Sequence, residues 1–393
     1  MDRQQAELLT QRGIAALRQG DATTARACFA DIAADPPAGM PPPWFMLSQA
    51  CHVLNDGAGE EAALTALLAS DPRHLGGLLL MAALKANGGD TRAASSFYTT
   101  ALAVAHHTGA AQVPQGLVPL LEQAERFLQQ AQAEYGRFLT EHLAASGVGT
   151  GSLSPRVDAA LDLLLGRKQL YVQEPTSFYF PGLPQRQFYE STEFGWAAAL
   201  EAAAPAMTAE LEALLEHQQT GFSPYVRTRT DRPAPANPLR DDPSWGARYL
   251  WEDGAMVPDH AAQAPATMRA LELPPIPVIA QRSPMALYSL LRPGTHIQPH
   301  NGMLNTRLIC HLPLITNDQC ALRVGNETRS WQPGRLMIFD DSIEHEAWNR
   351  GSSTRIILLF EIWRPEINAD ERRALTAIFE AITAYGGLPR DQG

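Results

Sequence analysis

Lysine is almost missing from this chain: Lys85 and Lys168 are the only two among 31 basic residues. The positive charge is therefore nearly all arginine, whose planar fork clamps carboxylates better than an ammonium does. Acidic residues are in excess and the net charge is −11. That argues against partners held by bulk positive charge, so neither nucleic acid nor an anionic membrane surface is expected. No apolar run reaches the roughly 18 residues of a membrane span. The opening MDRQQAELLTQRG lacks the apolar stretch of a secretory signal, so a cytoplasmic location is expected. Cys28, Cys51, Cys310 and Cys320 form no CxxC pair, which removes a zinc ribbon or a dithiol redox motif. They read as free thiols, with a Cys310–Cys320 disulfide as the alternative. There is no GxSxG nucleophile elbow, no phosphate-cradling glycine loop and no basic aromatic stripe.

What is there is 393 residues of ordinary globular composition, 45% hydrophobic and 19% charged, enough for two or three domains. Residues 1–112 are rich in Ala and Leu and repeat internally. Gly20-Asp21 with Ala25 and Phe29 recurs as Gly89-Asp90 with Ala93 and Phe97, the Ala/Phe pair returning after 68 residues, or two units of 34. Asp35-Pro36 and Asp71-Pro72 close units 36 apart. Small residues where helices cross, a Gly-Asp turn and a terminating Pro resemble degenerate tetratricopeptide repeats. A generic helical bundle is the alternative. A long amphipathic helix over 117–144 and a linker at Ser146–Pro155 fill 113–154.

From 155 to 393 the pattern changes. After a helix at the start and another over 194–217, short apolar runs follow one another, separated by RPG, TND and QPG. PVIAQRSPMALYSLLRPGTHIQPH, LNTRLICHLPLI, CALRVGNETRSW, RLMIFDDSIEHEAW and TRIILLFEIW read as successive short strands without intervening helices, which predicts an antiparallel sandwich or jelly roll. A last helix is expected over Ala369–Ala384. The fold class is thus α+β and multidomain: helical repeats, then a double-stranded β-helix.

Histidines crowd this second half: His296, His300, His311 and His345, with His260 upstream. An i, i+4 pair such as His296 and His300 would suggest zinc on a helix, but Gly294 and Pro299 argue against a helix there. The extended reading puts His300 and His345 at strand ends that converge on a barrel mouth. Two imidazoles with open positions beside them suit non-haem iron; ordinary core histidines are the alternative.

HIQPHNGMLNTRLICHLPLI, LRVGNETRSW, FDDSIEHEAWN and STRIILLFEIWRPE resemble the aspartyl/asparaginyl β-hydroxylases, with weaker similarity at SPYV and DDPSWGARYLWEDG. The resemblance covers roughly 175–365 and implies an oxygenase using Fe(II), 2-oxoglutarate and O2 to hydroxylate an unactivated carbon. The β-carbon of an Asp- or Asn-like residue is the expected target. It also implies that iron is held by His300 and His345, as the catalytic pair, with a glycine, Gly302, where a carboxylate ligand is usual. Arg355 would clamp the distal carboxylate of the cosubstrate, Ser289 would hydrogen-bond it, and His311 would help hold the chelating end. Without the resemblance these three read as a strand-end charge, a strand hydroxyl and a core histidine. Arg240, Trp245 and Arg307 match positions near the substrate. A second arginine expected two residues after Arg307 is replaced by Ile309. Asp340, Asp341, Glu344 and Glu346 surround His345 and could orient it or form a solvated face; Asp341 or Glu344 as a third ligand is a remoter option. The helical repeats could present a polypeptide substrate or dock another protein. Two rivals remain: a repeat-based interaction protein without activity, and an oxygenase acting on a small molecule or lipid headgroup.

Overall fold

A computed structural model describes residues 1–109, 112–147, 154–216, 221–228 and 237–386. Residues 148–153 of the expected linker lie outside them. The chain forms two compact units, Met1–Leu165 and Gly166–Gly393.

The first unit is helical: α1 (Arg3–Arg18), α2 (Ala22–Ala34), α3 (Trp44–Val53), α4 (Gly57–Ser70), α5 (Leu75–Asn87), α6 (Thr91–Thr108), α7 (Val118–Ala145) and α8 (Pro155–Leu164). α1 packs on α2, α3 on α4 and α5 on α6, and α7 runs beside α6. These are three tetratricopeptide-like hairpins followed by a long helix. Their turns share one device. Asp21, Asp56 and Asp90 cap α2, α4 and α6, each carboxylate accepting the N–H three residues on, from Thr24, Gly59 and Ala93, at 3.0 Å. The residue before each cap is left-handed: Gly20 at φ 81°, Asn55 at 57° and Gly89 at 80°. Asparagine is one of the few residues besides glycine that visit that region, so the middle hairpin carries no Gly-Asp signal.

The caps also correct the repeat register. Gly20 to Gly89 is a step of 69, so the equivalents of Ala25 and Phe29 are Ala94 and Tyr98, not Ala93 and Phe97. Ala25, Phe29 and Ala94 are fully buried and Tyr98 is 2% exposed, whereas Ala93 and Phe97 are only half-buried. Two adjacent pairs, Ala-Ala and Phe-Tyr, conceal the slip. Asp90→Ala is expected to cost about 1 kcal/mol, the usual worth of such a cap, read as a lower urea midpoint.

The second unit opens with β1 (Phe188–Tyr189), α9 (Ala197–Glu216), β2 (Ser223–Pro224), β3 (Trp245–Glu252), β4 (Ala255–Met256), α10 (Pro258–Ala262) and α11 (Pro265–Ala270). It continues through β5 (Ala286–Leu291), β6 (His296–His300), β7 (Arg307–Ile315), β8 (Cys320–Val324), β9 (Glu327–Ser330), β10 (Met337–Phe339), β11 (His345–Asn349) and β12 (Arg355–Trp363), and closes with α12 (Ala369–Tyr385). One sheet runs β1-β10-β7-β12-β5-β3-β2 with β4 on β3; the other runs β6-β11-β8-β9. The ladders within both are antiparallel. The sheets face each other across Leu287, Ile309 and Leu359 from the larger and Ile297, Leu322 and Ala347 from the smaller, a jelly roll.

α9 and α11 cover the outer face of the larger sheet, and this burial on both sides decides how the site is read. On β7, Leu308, Cys310, Leu312 and Leu314 pack toward the helices, leaving Arg307, Ile309 and His311 to face the interior by strand alternation. On β12, Ile356, Leu358, Phe360 and Ile362 face the helices, and Arg355, Ile357, Leu359 and Glu361 point inward. The cysteines are all free and buried. Among the described residues no helix is long and apolar enough to cross a membrane.

Candidate active site between the sheets

β6 is extended, so the spacing of His296 and His300 has no helical meaning. His300 ends β6, His345 begins β11, and the two stand directly opposite in the ladder, their ring centroids 4.2 Å apart. Each ring is oriented by the carbonyl two residues before it. His300 Nδ1 lies 2.8 Å from Gln298 O and His345 Nδ1 lies 3.1 Å from Ile343 O. A carbonyl oxygen only accepts, so Nδ1 carries the proton in each ring and Nε2 keeps its lone pair. Burial holds the pKa of His300 below its ordinary value, and burial plus the neighbouring His300 hold that of His345 well below. Two neutral imidazoles with fixed tautomers and adjacent lone pairs are a donor set that fits a divalent metal such as Fe(II). Among the described residues no group of three His, Cys, Asp or Glu side chains converges, so the set is a pair.

Gly302 leaves the third corner without a side chain for a steric reason. A β-carbon there would lie 2.2 Å from Asp341 Oδ2, and Gly302 N–H donates to the Asp341 carbonyl at 2.6 Å. Asp341 is buried and accepts from Arg307 Nη2 at 3.3 Å, so it cannot swing away freely. Gly302→Ala is expected to destabilise the fold by about 1–3 kcal/mol through overpacking. Chemical unfolding measures this, and an unchanged midpoint would mean that Asp341 yields.

The other acids around His345 have different work. Asp340 is fully buried and holds Arg364 Nη1 at 2.6 Å, Gln173 Nε2 at 2.7 Å and the Ser342 hydroxyl at 2.6 Å. It ties the turn before β11 to the segment preceding β1, and is no solvated charge. Glu346 accepts from His296 Nε2 at 2.6 Å and from Arg323 Nε, while Glu344 accepts from Arg323 Nη2 at 2.8 Å. His345 is therefore oriented by the Ile343 carbonyl, and His296 is a clasp between β6 and β11.

Trp245, Ser289, His300, Arg307, His311, His345 and Arg355 line one pocket between the sheets, with about 660 Å³ of empty space that is partly open to solvent. Arg240 is not among the lining residues; it sits in the turn before β3, bridged to Val226. Trp245 stacks on Tyr225 with ring centroids 4.1 Å apart and planes at 8°, forming a flat aromatic wall. Arg307 donates to Glu361 at 2.7 Å and to Asp341. Burial opposes its charge, but the two carboxylates outweigh it and keep the guanidinium protonated. Burial pushes the Asp341 carboxyl up to about 6, against the pull of Arg307.

Arg355 has no such company. It is 1% exposed, its Nε and Nη1 have no hydrogen-bond partner, and burial pushes its pKa down to about 10. Its close neighbour is the Trp331 ring, with Cζ 4.6 Å from the centroid. His311 is buried with Nδ1 unpartnered, its pKa held well below the ordinary value by burial and then by Arg355. Ser289 faces Ile357 across the β5/β12 ladder, on the same inner surface. Tyr225, Trp331 and Glu361 were not anticipated from sequence. Glu361 was accessible by counting: six residues after Arg355 on an unbroken strand, it must share a face with it. Tyr225 and Trp331 lie in the family-like blocks SPYV and LRVGNETRSW, but nothing local in those blocks points either side chain at the site.

Residues 201–365 match the family model described as aspartyl/asparaginyl beta-hydroxylase. The human aspartyl/asparaginyl beta-hydroxylase is 40% identical over 141 residues, 36% of this chain and 18% of that protein. The ornithine lipid ester-linked acyl 2-hydroxylase of Rhizobium tropici is 34% identical over 180 residues, 45% of this chain and 60% of that protein. The human aspartate beta-hydroxylase domain-containing protein 2 is 31% identical over 217 residues, 53% of this chain and 55% of that protein. The matches thus span from under a fifth to under two thirds of these relatives. The residues that line the pocket all lie within 201–365, and it is this segment that is similar to the aspartyl/asparaginyl β-hydroxylase family.

Proposed function

We propose that this protein is a hydroxylase that uses Fe(II), 2-oxoglutarate and O2. His300 and His345 hold the metal through Nε2, their Nδ1–H groups anchored on backbone carbonyls. Arg355 receives the distal carboxylate of 2-oxoglutarate as a paired, charge-assisted contact, with Ser289 beside it and His311 toward the chelating end. Bound iron and cosubstrate supply the oxidising chemistry, in which 2-oxoglutarate gives succinate and CO2 and an unactivated carbon gains a hydroxyl. The apolar walls, Ile297, Ile309, Leu322 and Leu359 among them, exclude water from that chemistry.

The observation that carries this reading is Arg355. A guanidinium buried without a counterion is costly, and one that lines the same pocket as two metal-ready imidazoles is explained by an anion that binds beside the metal. The test is succinate formation by anaerobically Fe(II)-loaded protein on admission of O2, together with titration of 2-oxoglutarate into the metal-loaded protein. Absence of both would leave a repeat-based interaction protein without oxygenase activity.

Two substrate classes fit. An Asp- or Asn-like group of a polypeptide follows from the family, with Trp245, Arg307 and Arg240 as contacts and the helical unit as a presenting or docking surface. A small molecule or lipid headgroup is favoured by a specific observation: Arg307 is already bound by two carboxylates, and Ile309 adds no cation beside it. The similarity to an acyl 2-hydroxylase points the same way. Peptide and amphiphile panels, scored by hydroxylated product rather than by succinate alone, separate the two.

A further inference from the structure

We infer that Trp331 is the positioning residue of the anion clamp: its indole face, in place of a carboxylate counterion, holds the Arg355 guanidinium ready for an incoming anion. The inference rests on the proposed role of Arg355. Trp331 follows β9 and is 3% exposed, Arg355 heads β12, and the two are in contact with the guanidinium carbon 4.6 Å from the ring centroid. His311 completes the group, its ring 5.9 Å from that of Trp331. On these three neighbouring side chains four buried nitrogens lack a hydrogen-bond partner among the described residues: Arg355 Nε and Nη1, Trp331 Nε1 and His311 Nδ1. Buried polar atoms are nearly always satisfied, so such a concentration marks a place where a ligand completes the bonding.

The choice of an aromatic partner has a physical logic. A carboxylate would hold the arginine as firmly, but would occupy its donors and cancel its charge. An aromatic face attracts the cation through its quadrupole and leaves the in-plane N–H groups unspent. It also confines the planar fork to one orientation, which reduces the ordering required when the anion arrives. The pairing was invisible in sequence because Trp331 lies 24 residues before Arg355, beyond a turn and two strands.

The test titrates 2-oxoglutarate and 2-oxovalerate, in which a methyl group replaces the distal carboxylate, into metal-loaded wild type, Trp331→Leu and Trp331→Phe. Trp331→Leu is expected to weaken 2-oxoglutarate about tenfold or more. Trp331→Phe, which keeps a ring face, is expected to stay within about threefold. Neither should alter the affinity for 2-oxovalerate, which offers Arg355 nothing to hold. Equal losses for both ligands would mean general damage and overturn the inference, as would full 2-oxoglutarate affinity in Trp331→Leu. Should the Leu variant not fold, the indole emission present in wild type and missing from Trp331→Phe must change with 2-oxoglutarate and not with 2-oxovalerate; an unresponsive signal overturns the inference. A wild type that binds no 2-oxoglutarate removes the proposed function along with it, and is recognised because the failure precedes any substitution.

Discussion

Arg355→Met is expected to abolish 2-oxoglutarate binding while stabilising the ligand-free protein. The two effects share one cause. Arg355 is 1% exposed with two of its three nitrogens unpartnered, so the ligand-free fold bears the desolvation of a charge that no carboxylate among the described residues offsets. Replacing poorly compensated buried charge by an apolar side chain of similar length commonly stabilises by about 1–4 kcal/mol. Loss of the Trp331 contact takes back part of this, leaving a net gain of about 1 kcal/mol, or roughly 2–4 °C in Tm for a unit of this size. The ligand side runs the other way. Charged hydrogen bonds contribute about 1.5–3 kcal/mol each, so losing a paired contact should raise the Kd for 2-oxoglutarate by at least about 100-fold. Thermal unfolding with and without 2-oxoglutarate reads both. Wild type should gain Tm on adding ligand, and the variant should start higher and not move. A destabilised, ligand-free Arg355→Met would mean that the arginine is held by something other than the prospect of an anion, and would undercut the cosubstrate reading at its base.

His300→Ala should remove metal-dependent turnover with little change in stability. His300 ends a strand at the pocket and is only partly buried, so its removal opens no closed cavity, and a change within about 1 kcal/mol is expected. Metal affinity should fall by more than about 100-fold, since substitution of outer partners alone commonly costs 10–100-fold. His296→Ala is the matched control. It lies four residues away on the same strand, but its Nε2 is committed to Glu346 at 2.6 Å. It should lose that clasp and keep the metal. Calorimetric titration of Fe(II) or Co(II) under anaerobic conditions measures both. Equal metal affinity in wild type and His300→Ala would rule out the histidine pair as the metal site.

The local signals in this chain were readable without a structure because their physics is local. Gly-Asp turns announced helix caps, Gly294 and Pro299 excluded a helix around His300, and turn clusters cut the second unit into strands. Even so, Asn55 hid the middle hairpin by doing the work of a glycine, and neighbouring Ala and aromatic pairs shifted the repeat by one residue. The family resemblance directed attention to His300, His345, Arg355, Ser289 and His311. The hydrophobic pattern alone could not have told which face of β7 and β12 carries His311 and Arg355, since both strands are buried on both faces.

Composition, punctuation and periodicity in the sequence alone determined a helical-repeat region, an all-antiparallel sandwich and a pair of candidate histidines at strand ends. Tertiary structure decided everything that depends on register between strands distant in sequence. It set His300 opposite His345, put Asp341 where a side chain at position 302 would stand, bound Arg307 to Asp341 and Glu361, and laid Arg355 over the face of Trp331. Those pairings arise from ladders between residues tens of positions apart, and no local propensity encodes them.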